Sequence, residues 1–211
     1  MIVIGLTGSI AMGKTTAAGM LRRMGLPVHD ADAAVHRMLR KKGTAVAAIE
    51  MAFPGTVSGG AVDRTALGRQ VFGDPSALKR LEAILHPLVR TESQLFLKRC
   101  AARRVAMAVL DIPLLFETGR DRECDVTVLV SAPAFLQAQR VLRRPGMTER
   151  RLAEIRARQM PDAEKHRRAD FVVPTGLSRR ETLRHLASIV KLLRQRPRRG
   201  RAARTGWTSH A

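Results

Sequence analysis

The 211-residue chain has few aromatic side chains: Phe, Trp and Tyr together make up 3 %, and Tyr is absent. A protein that binds nucleic acid by stacking bases on aromatic rings would therefore lack platforms. No apolar run of the sequence approaches the roughly 18–20 residues that span a membrane. The apolar opening, residues 1–6, is short and has no basic leader, so it predicts a buried strand rather than a signal peptide.

Cysteine is also scarce. Cys100 and Cys124 are the two cysteines of the sequence, and neither lies in a spacing typical of a zinc site. Two cysteines cannot build a disulfide framework, so a reduced, cytoplasmic setting is the simplest prediction. The histidines show no metal-ligand spacing either.

Acidic residues are outnumbered: 18 Asp and Glu stand against 38 Lys and Arg, which gives a formal net charge of +20. Six arginines lie from Arg194 onward without an acidic residue, so residues 1–193 retain +14. A basic body favours a phosphate-rich ligand or a polyanion. Residues 196–211 have little apolar content, and we expect a basic, disordered tail there.

Strand patterns alternate with helical patterns along the chain. Buried strands are predicted at residues 2–6, 27–30, 105–110, 126–130 and 171–173. This alternation predicts an α/β fold of the P-loop NTPase type, in which helices flank a parallel sheet.

One domain is predicted over residues 1–195, but the helical block between the second and third strands is too long for a single crossover. That block is expected to form a subdomain beside the sheet. The predicted parts are a core at about 1–30, 103–135 and 169–195, a helical acceptor subdomain at about 31–102 and a helical lid at about 136–168. Within the block, Pro87 predicts a kink or a break in a long helix over 75–102.

Residues 8–15 match the phosphate-loop pattern G-x-x-x-x-G-K-[ST] and lie between a predicted strand and a predicted helix. There, successive backbone N–H groups and the helix N-terminus can surround nucleotide phosphates. Lys14 is predicted to reach the β- and γ-phosphates, and the Thr15 hydroxyl to ligate Mg²⁺. The nucleotide-binding residues that this motif predicts are Gly8, Ala11, Met12, Gly13, Lys14, Thr15 and Thr16.

Carboxylates follow two of the predicted strands: Asp30 and Asp32 follow the second, and Asp111 ends the third. Ligands of parallel α/β sheets bind at the carboxyl ends of the strands, so these side chains are candidates for coordinating Mg²⁺. Asp30 or Asp32 could instead accept the proton of a substrate hydroxyl. Structural alternatives stay open, because Asp32 could cap a helix over about 32–42 and Asp111 could simply end its strand.

Arginines are concentrated on two predicted helices of the C-terminal half, where many form a solvated face. Helices rich in arginine after the fourth strand can also close over a nucleotide and stabilise the transferring phosphoryl group. The arginines are Arg140, Arg143, Arg144, Arg150, Arg151, Arg156 and Arg158.

Several separate segments resemble the dephospho-CoA kinase family. Residues 4–15 are similar to its I-G-L-T-G-G-I-x-x-G-K-[ST] opening, and Asp30-Ala31-Asp32 with His36 resembles its D-A-D-x-x-x-H segment. Residues 81–90 resemble its L-E-x-x-x-H-P-x-V-R block, and residues 111–117 its D-x-P-L-L-F-E block. The phosphate loop is common to many families, whereas these blocks in this order are specific to one.

The predicted lid carries two weaker matches and one departure. Residues 137–140 resemble the family's Q-x-x-R lid entry, and Gln159 resembles the end of its R-I-x-x-Q motif. Ile155 stands where that motif commonly has its arginine, and Arg156 follows one residue later. In addition, residues 173–176 replace a common V-I-x-N-x-G, so the Asn often placed near the adenine is missing.

The phosphate loop also departs from the family. Ser9 and Ala11 stand where the family usually has Gly. Ala11 must therefore adopt a negative φ or tolerate some backbone strain.

The resemblance implies transfer of the γ-phosphoryl group of ATP to the ribose 3′-hydroxyl of dephospho-CoA, giving coenzyme A and ADP, with Mg²⁺ as cofactor. It implies Asp32 as the catalytic base. Lys14 and Arg140 would balance the charge on the transferred group, with Arg143 assisting at the ATP site. Thr15 and Asp111 would hold the Mg²⁺.

The implied substrate-binding residues are Asp30, His86, Arg90, Leu114, Leu115, Phe116 and Glu117.

Two other classes of protein stay open on the residues alone. A different small-molecule P-loop kinase, such as a nucleoside-monophosphate kinase, would leave residues 113–117 unexplained. A nucleic-acid-binding P-loop protein would explain the positive charge, but the scarcity of aromatic side chains argues against this class. We therefore expect no specific nucleic acid as a partner. We also expect no membrane as a partner, because the sequence has no long apolar run.

Overall fold

Strands and helices alternate through the part of the chain that the computed structural model describes, residues 1–195. In chain order they are β1 (Ile2–Thr7), α1 (Lys14–Arg23), β2 (Val28–Asp30), α2 (Ala31–Met38), α3 (Val46–Ala52), β3 (Val57–Ser58), β4 (Ala61–Val62), α4 (Arg64–Val71), α5 (Pro75–Ala102), β5 (Met107–Asp111), β6 (Val126–Ser131), α6 (Ala134–Leu142), α7 (Glu149–Arg158), α8 (Asp162–Arg168), β7 (Phe171–Pro174) and α9 (Arg179–Arg194). The predicted disordered tail, residues 196–211, lies outside the described residues.

The main sheet has five strands in the order β2-β5-β1-β6-β7. β1 pairs in parallel with both β5 and β6, and β6 pairs in parallel with β7. Every residue of β5 and β6 is buried, which explains why these strands are mostly apolar and show no regular alternation of apolar and polar residues. The predicted parallel sheet flanked by helices is therefore confirmed.

α1 and α9 pack against the sheet and form the apolar core with it. Ile4 and Leu6 of β1 and Val128 of β6 are at most 1 % exposed and belong to one apolar cluster with these two helices. The helices contribute residues at helical spacing, including Ala17, Leu21, Leu186, Val190 and Leu193. This packing fixes the start of α1, and with it the loop that connects β1 to α1.

The fold divides into two compact units. One contains Met1–His29 and the chain from Cys100 onward, and the other contains Asp30–Arg99. The second unit holds a short antiparallel hairpin of β3 and β4, which lies inside the block predicted to be helical. Its turn is Gly59-Gly60, and both glycines have positive φ, as a two-residue hairpin turn requires.

The start of α2 shows which aspartate caps this helix. Asp30, and not Asp32, is the N-cap residue: its Oδ1 accepts a hydrogen bond of 2.9 Å from the N–H of Ala33. Asp32 lies in the first turn of the helix with its side chain exposed. The N-cap role considered for Asp32 is therefore wrong.

α5 runs without a break through Pro87, so of the two predicted alternatives the helix break is wrong, and the kink stays a prediction. Pro87 and Ala83, whose carbonyl loses its helical partner, both lie on the exposed face of α5, where water can take the place of the missing N–H. Within residues 1–195, no helix, α5 included, is both long enough and apolar enough to cross a membrane.

Candidate active site

The phosphate loop leaves β1 close to the backbone of β6. A Cβ atom at Gly8 would lie 2.5 Å from Val130 Cγ2 and 2.7 Å from Val130 O, so the first glycine of the motif is required by space. Gly13 has φ of +88° and is the N-cap residue of α1, so the last glycine is required by its backbone conformation. The motif therefore folds as a loop that delivers Lys14 to the first position of a helix.

Ala11 adopts the strained alternative. Its φ is +59°, in the left-handed region that costs a residue with a Cβ about 1–2 kcal/mol. Arg140 Nη1 donates to the carbonyl of Ala11 at 3.4 Å, so this residue is held by a side chain of α6.

Lys14 and Asp111 are brought together across the sheet. Lys14 Nζ lies 2.7 Å from Asp111 Oδ1, and the side chains are 14 % and 2 % exposed. Asp111 is the last residue of β5, so the parallel pairing of β1 with β5 places it beside the loop that follows β1. The predicted phosphate-binding lysine and a predicted Mg²⁺ ligand thus form one buried pair.

The Mg²⁺ expectation can be compared with the donor atoms present. Thr15 offers a hydroxyl and Asp111 a carboxylate, and oxygen donors of these kinds suit Mg²⁺, which usually keeps substrate phosphates and waters as its other ligands. Among residues 1–195, no group of three or more His, Cys, Asp or Glu side chains could hold a metal ion. The hydroxyl of Thr15 and the carboxylate of Asp111 are the donor types that fit a Mg²⁺ ion with nucleotide phosphates and waters as its other ligands.

Ile10 is held at both of its backbone polar groups by glutamines. Its N–H donates to Gln159 Oε1 at 3.2 Å, and its carbonyl accepts from Gln137 Nε2 at 3.0 Å. Gln137 is buried, and its Oε1 accepts from Arg156 at 2.7 and 3.0 Å. Arg156, one residue from the position where the family commonly has arginine, therefore orients the glutamine that holds the loop.

The carbonyl of Met12 is held by Thr175, the residue that follows β7. The Thr175 hydroxyl lies 2.7 Å from the carbonyl of Met12 and 3.1 Å from that of Ser131. Arg140 Nη2 donates to the carbonyl of Thr175 at 2.8 Å. The segment that lacks the family's Asn thus uses its threonine to hold the phosphate loop.

The sequence analysis missed Lys165. This residue of α8 is 0 % exposed, and its Nζ lies 2.9 Å from Glu117 Oε1 and 3.2 Å from Ser9 Oγ. Glu117 Oε1 also accepts from the N–H of Met160 at 2.9 Å. No pattern of residue types marks this position, because lysine is almost never fully buried unless it is paired.

The predicted acceptor loop after β5 is largely packed. Leu115 and Phe116 are 0 % and 3 % exposed, whereas Leu114 and Glu117 are partly exposed. Arg143, predicted to assist at the ATP site, is exposed at the end of α6. The substrate-binding and ATP-binding roles of these residues stay predictions.

The other predicted acceptor residues lie in the second unit. Asp32, His86 and Arg90 are exposed there, and His86 and Arg90 are one helical turn apart on α5. Asp30 is partly buried by its capping bond. These roles, too, stay predictions.

Comparison with known proteins gives one family. The model of the family described as dephospho-CoA kinase matches residues 2–178. A dephospho-CoA kinase of Rhodospirillum rubrum is 55 % identical over 212 residues and covers 100 % of both chains. A dephospho-CoA kinase of Paramagnetospirillum magneticum is 61 % identical over 194 residues and covers 92 % of each.

Solved structures agree on the fold. The crystal structure of a Thermus thermophilus protein has a TM-score of 0.77 and 38 % identity, covering 90 % of this chain and 96 % of that one. A dephospho-CoA kinase from Campylobacter jejuni has a TM-score of 0.63 at 21 % identity over the same shares, a likeness that bears on the fold alone.

Proposed function

The chain belongs to the dephospho-CoA kinase family and is a kinase that catalyses the final step of coenzyme A biosynthesis; on that premise we propose how its residues divide the reaction. The γ-phosphoryl group of ATP passes to the ribose 3′-hydroxyl of dephospho-CoA, and coenzyme A and ADP leave. The observation that carries the proposal is the buried Lys14–Asp111 pair beside the phosphate loop.

The donor side binds and polarises ATP. Backbone N–H groups of the loop from Gly8 to Gly13 and the N-terminus of α1 favour the phosphate charge. Lys14 neutralises negative charge on the β- and γ-phosphates as the γ-phosphoryl group leaves. Arg140, held 2.8 Å from the Thr175 carbonyl, adds a second positive charge, and Arg143 approaches from the end of α6.

Thr15 and Asp111 would hold Mg²⁺, directly or through water, and the ion would neutralise phosphate charge. Lys14 has a second task in that arrangement. Its ammonium holds the Asp111 carboxylate at the end of β5, where the carboxylate faces the start of α1.

The acceptor side needs a base and positioning. Asp32 accepts the proton of the 3′-hydroxyl as the oxygen forms its bond to phosphorus, and the bond from phosphorus to the ADP oxygen breaks. Two observations support the choice of Asp32 over Asp30. The Asp32 side chain is exposed, whereas one carboxylate oxygen of Asp30 already accepts the hydrogen bond that caps α2. His86 and Arg90 suit a substrate that carries a pyrophosphate.

We also propose that the enzyme works in the cytoplasm. Cys100 and Cys124 are buried and are not joined in a disulfide, and burial raises the pKa of the Cys100 thiol. Both features fit thiols that stay reduced.

An ADP-release assay tests the proposal. Dephospho-CoA is offered with Mg²⁺ and ATP, in parallel with a panel of nucleosides and nucleoside monophosphates. We expect turnover with dephospho-CoA to exceed that with every panel member, and the Lys14→Ala variant to lose it. Faster turnover with a nucleoside monophosphate would contradict the proposed acceptor.

A further inference from the structure

Lys165 is a buried cation that the proposed reaction does not use. It is 0 % exposed, and its Nζ bridges Glu117 Oε1 at 2.9 Å and Ser9 Oγ at 3.2 Å. Removing an ammonium from water is costly, and an apolar side chain of similar volume is often at least as stabilising as a buried ion pair. Core stability alone therefore explains this lysine poorly, and its two partners indicate what it does.

Both partners belong to segments that carry predicted site residues. Ser9 is the second residue of the phosphate loop, which contains Lys14. Glu117 ends the segment that begins with Asp111, the partner of Lys14. We propose that Lys165 is a positioning residue: it fixes the phosphate loop through Ser9 and ties that loop to residues 111–117 through Glu117.

The contact at Ser9 differs from the others along the loop. Ile10, Ala11 and Met12 are held through backbone atoms, so those hydrogen bonds do not depend on the loop side chains. At Ser9 the acceptor is the side-chain hydroxyl. Ser9 stands where the family usually has Gly, so this chain supplies Lys165 with a loop partner that a glycine could not offer.

Lys165 also fixes the element that carries it. Glu117 Oε1 accepts from Lys165 and from the N–H of Met160, just before α8. One carboxylate oxygen thus joins the loop after β5 both to the connection that precedes α8, through Met160, and to α8 itself, through Lys165. A displacement of α8 would therefore be passed to the phosphate loop through Lys165 and Ser9.

The inference rests on the proposed role of the loop as the ATP site, and it predicts a selective effect. Lys165→Met removes the ammonium and keeps an unbranched side chain. We expect its KM for ATP to rise about tenfold, as for the loss of a hydrogen bond to a charged group. Lys165→Met also removes the partner of Glu117, a predicted acceptor residue, so its KM for dephospho-CoA should rise as well. Ser9→Ala keeps the Lys165–Glu117 pair and should leave the KM for dephospho-CoA within about threefold of the parent value.

Ser9→Ala is the milder variant, and it decides the question if Lys165→Met does not fold. It removes only the hydroxyl, and its KM for ATP should rise about threefold, as for loss of one hydrogen bond. The double variant should match Lys165→Met alone, because both substitutions break the same contact. An unchanged KM for ATP in Ser9→Ala, or effects that multiply in the double variant, would overturn the inference.

Asp162→Asn is the matched control. Asp162 lies on α8 one turn before Lys165, and its Oδ2 accepts from Ser131 Oγ at 2.7 Å rather than from the phosphate loop. We expect it to lower the melting temperature without moving the KM for ATP. An equal rise in KM for Asp162→Asn would overturn the inference in favour of general loosening of α8.

Calorimetric titration of the parent and of the Lys165 and Ser9 variants with ATP separates this inference from the proposed function. If the parent binds ATP and the Lys165 and Ser9 variants bind it equally well, the inference fails and the proposed function stands. If the parent does not bind ATP, the proposed function fails and the inference fails with it.

Discussion

The predicted donor residues and the predicted acceptor residues are held in different ways. In the unit with the phosphate loop, Lys14 is paired with a carboxylate that is 2 % exposed, and residues 9–12 each accept or donate a hydrogen bond to a side chain distant in sequence. In the unit from Asp30 to Arg99, the residues Asp32, His86 and Arg90 stand exposed on helices. A substitution at Lys14 should therefore change both stability and chemistry, whereas a substitution at Asp32, His86 or Arg90 should change chemistry alone.

The largest effect is expected for Asp32→Asn. An amide cannot take up the proton of the 3′-hydroxyl, so turnover should fall by roughly 10²–10⁴-fold. The melting temperature should stay near that of the parent, because Asp30 and not Asp32 caps α2. Single-turnover rates at saturating ATP and Mg²⁺, together with melting curves, make the measurement.

Asp30→Asn is its matched control. Asparagine caps helices about as well as aspartate, so α2 should persist and the rate should fall less than for Asp32→Asn. A dead Asp30→Asn beside an active Asp32→Asn would reverse the assignment. If both variants stay active, proton removal is not carried by this segment.

Lys14→Ala should come next, with a loss of roughly 10²-fold in phosphoryl transfer if one cation supplies about 3 kcal/mol in the transition state. Unlike Asp32→Asn, it should also lower the free energy of unfolding, because it takes the lysine away from the buried Asp111 carboxylate. Chemical denaturation and single-turnover kinetics measure the two effects.

Adding Asp111→Asn to Lys14→Ala separates the effect on stability from the effect on phosphoryl transfer. In the double variant Lys14→Ala, Asp111→Asn the buried carboxylate is gone, so stability should recover while activity stays lost. Recovery of both would show that Lys14 serves the fold rather than the phosphates.

Arg90→Ala should have a smaller and one-sided effect. We expect the KM for dephospho-CoA to rise roughly tenfold, as for loss of a charge-assisted contact to a pyrophosphate, while the KM for ATP stays unchanged. Arg64→Ala is the control, since Arg64 is another exposed arginine of the same unit. Equal effects of the two substitutions would reduce the role of Arg90 to general surface charge.

Asp74→Ala should have the smallest effect, on stability alone. Asp74 Oδ1 accepts from the N–H groups of Ser76 and Ala77 at the start of α5. The backbone hydrogen bond from Ala77, followed by the bonds from Ser76, lowers the pKa of Asp74. The contribution of the ionised Asp74 side chain to folding stability is therefore complete above the ordinary carboxyl pKa of about 3.9. This contribution is lost as the pH falls through the lowered pKa of Asp74 in the folded protein.

Melting curves over a range of pH check this contribution. The variant should melt below the parent at pH 7, and the two curves should converge under strongly acidic conditions. Asp74→Asn should retain most of the stability at pH 7, since the amide oxygen can still cap. A change in turnover at pH 7 would mean that the start of α5 matters to the acceptor side.

Much of the fold could be predicted from the sequence, because the pattern of strands and helices is local. The long helix 75–102 and the strands of the sheet lie within about two residues of their predicted bounds, since capping residues and buried runs mark them. The hairpin of β3 and β4 was missed because two residues per strand are too few to show a period.

The candidate site was less predictable where it depends on distant contacts. The phosphate loop is visible as a motif, but the burial of Lys165 depends on Ser9, 156 positions away, and on Glu117. The N-cap of α2 is Asp30, two residues before the Asp32 considered for that role, and no pattern of residue types settles a shift of that size. The strain at Ala11 is likewise a property of the folded loop.

ATP titration calorimetry on Asp32→Asn and Lys14→Ala, side by side with the parent, tests the division between donor and acceptor sides most directly. The account predicts that Asp32→Asn binds ATP with the affinity of the parent, while Lys14→Ala binds it at least about tenfold more weakly. Loss of ATP affinity in Asp32→Asn as large as that in Lys14→Ala would contradict the division, since it would place Asp32 at the nucleotide instead of at the acceptor hydroxyl.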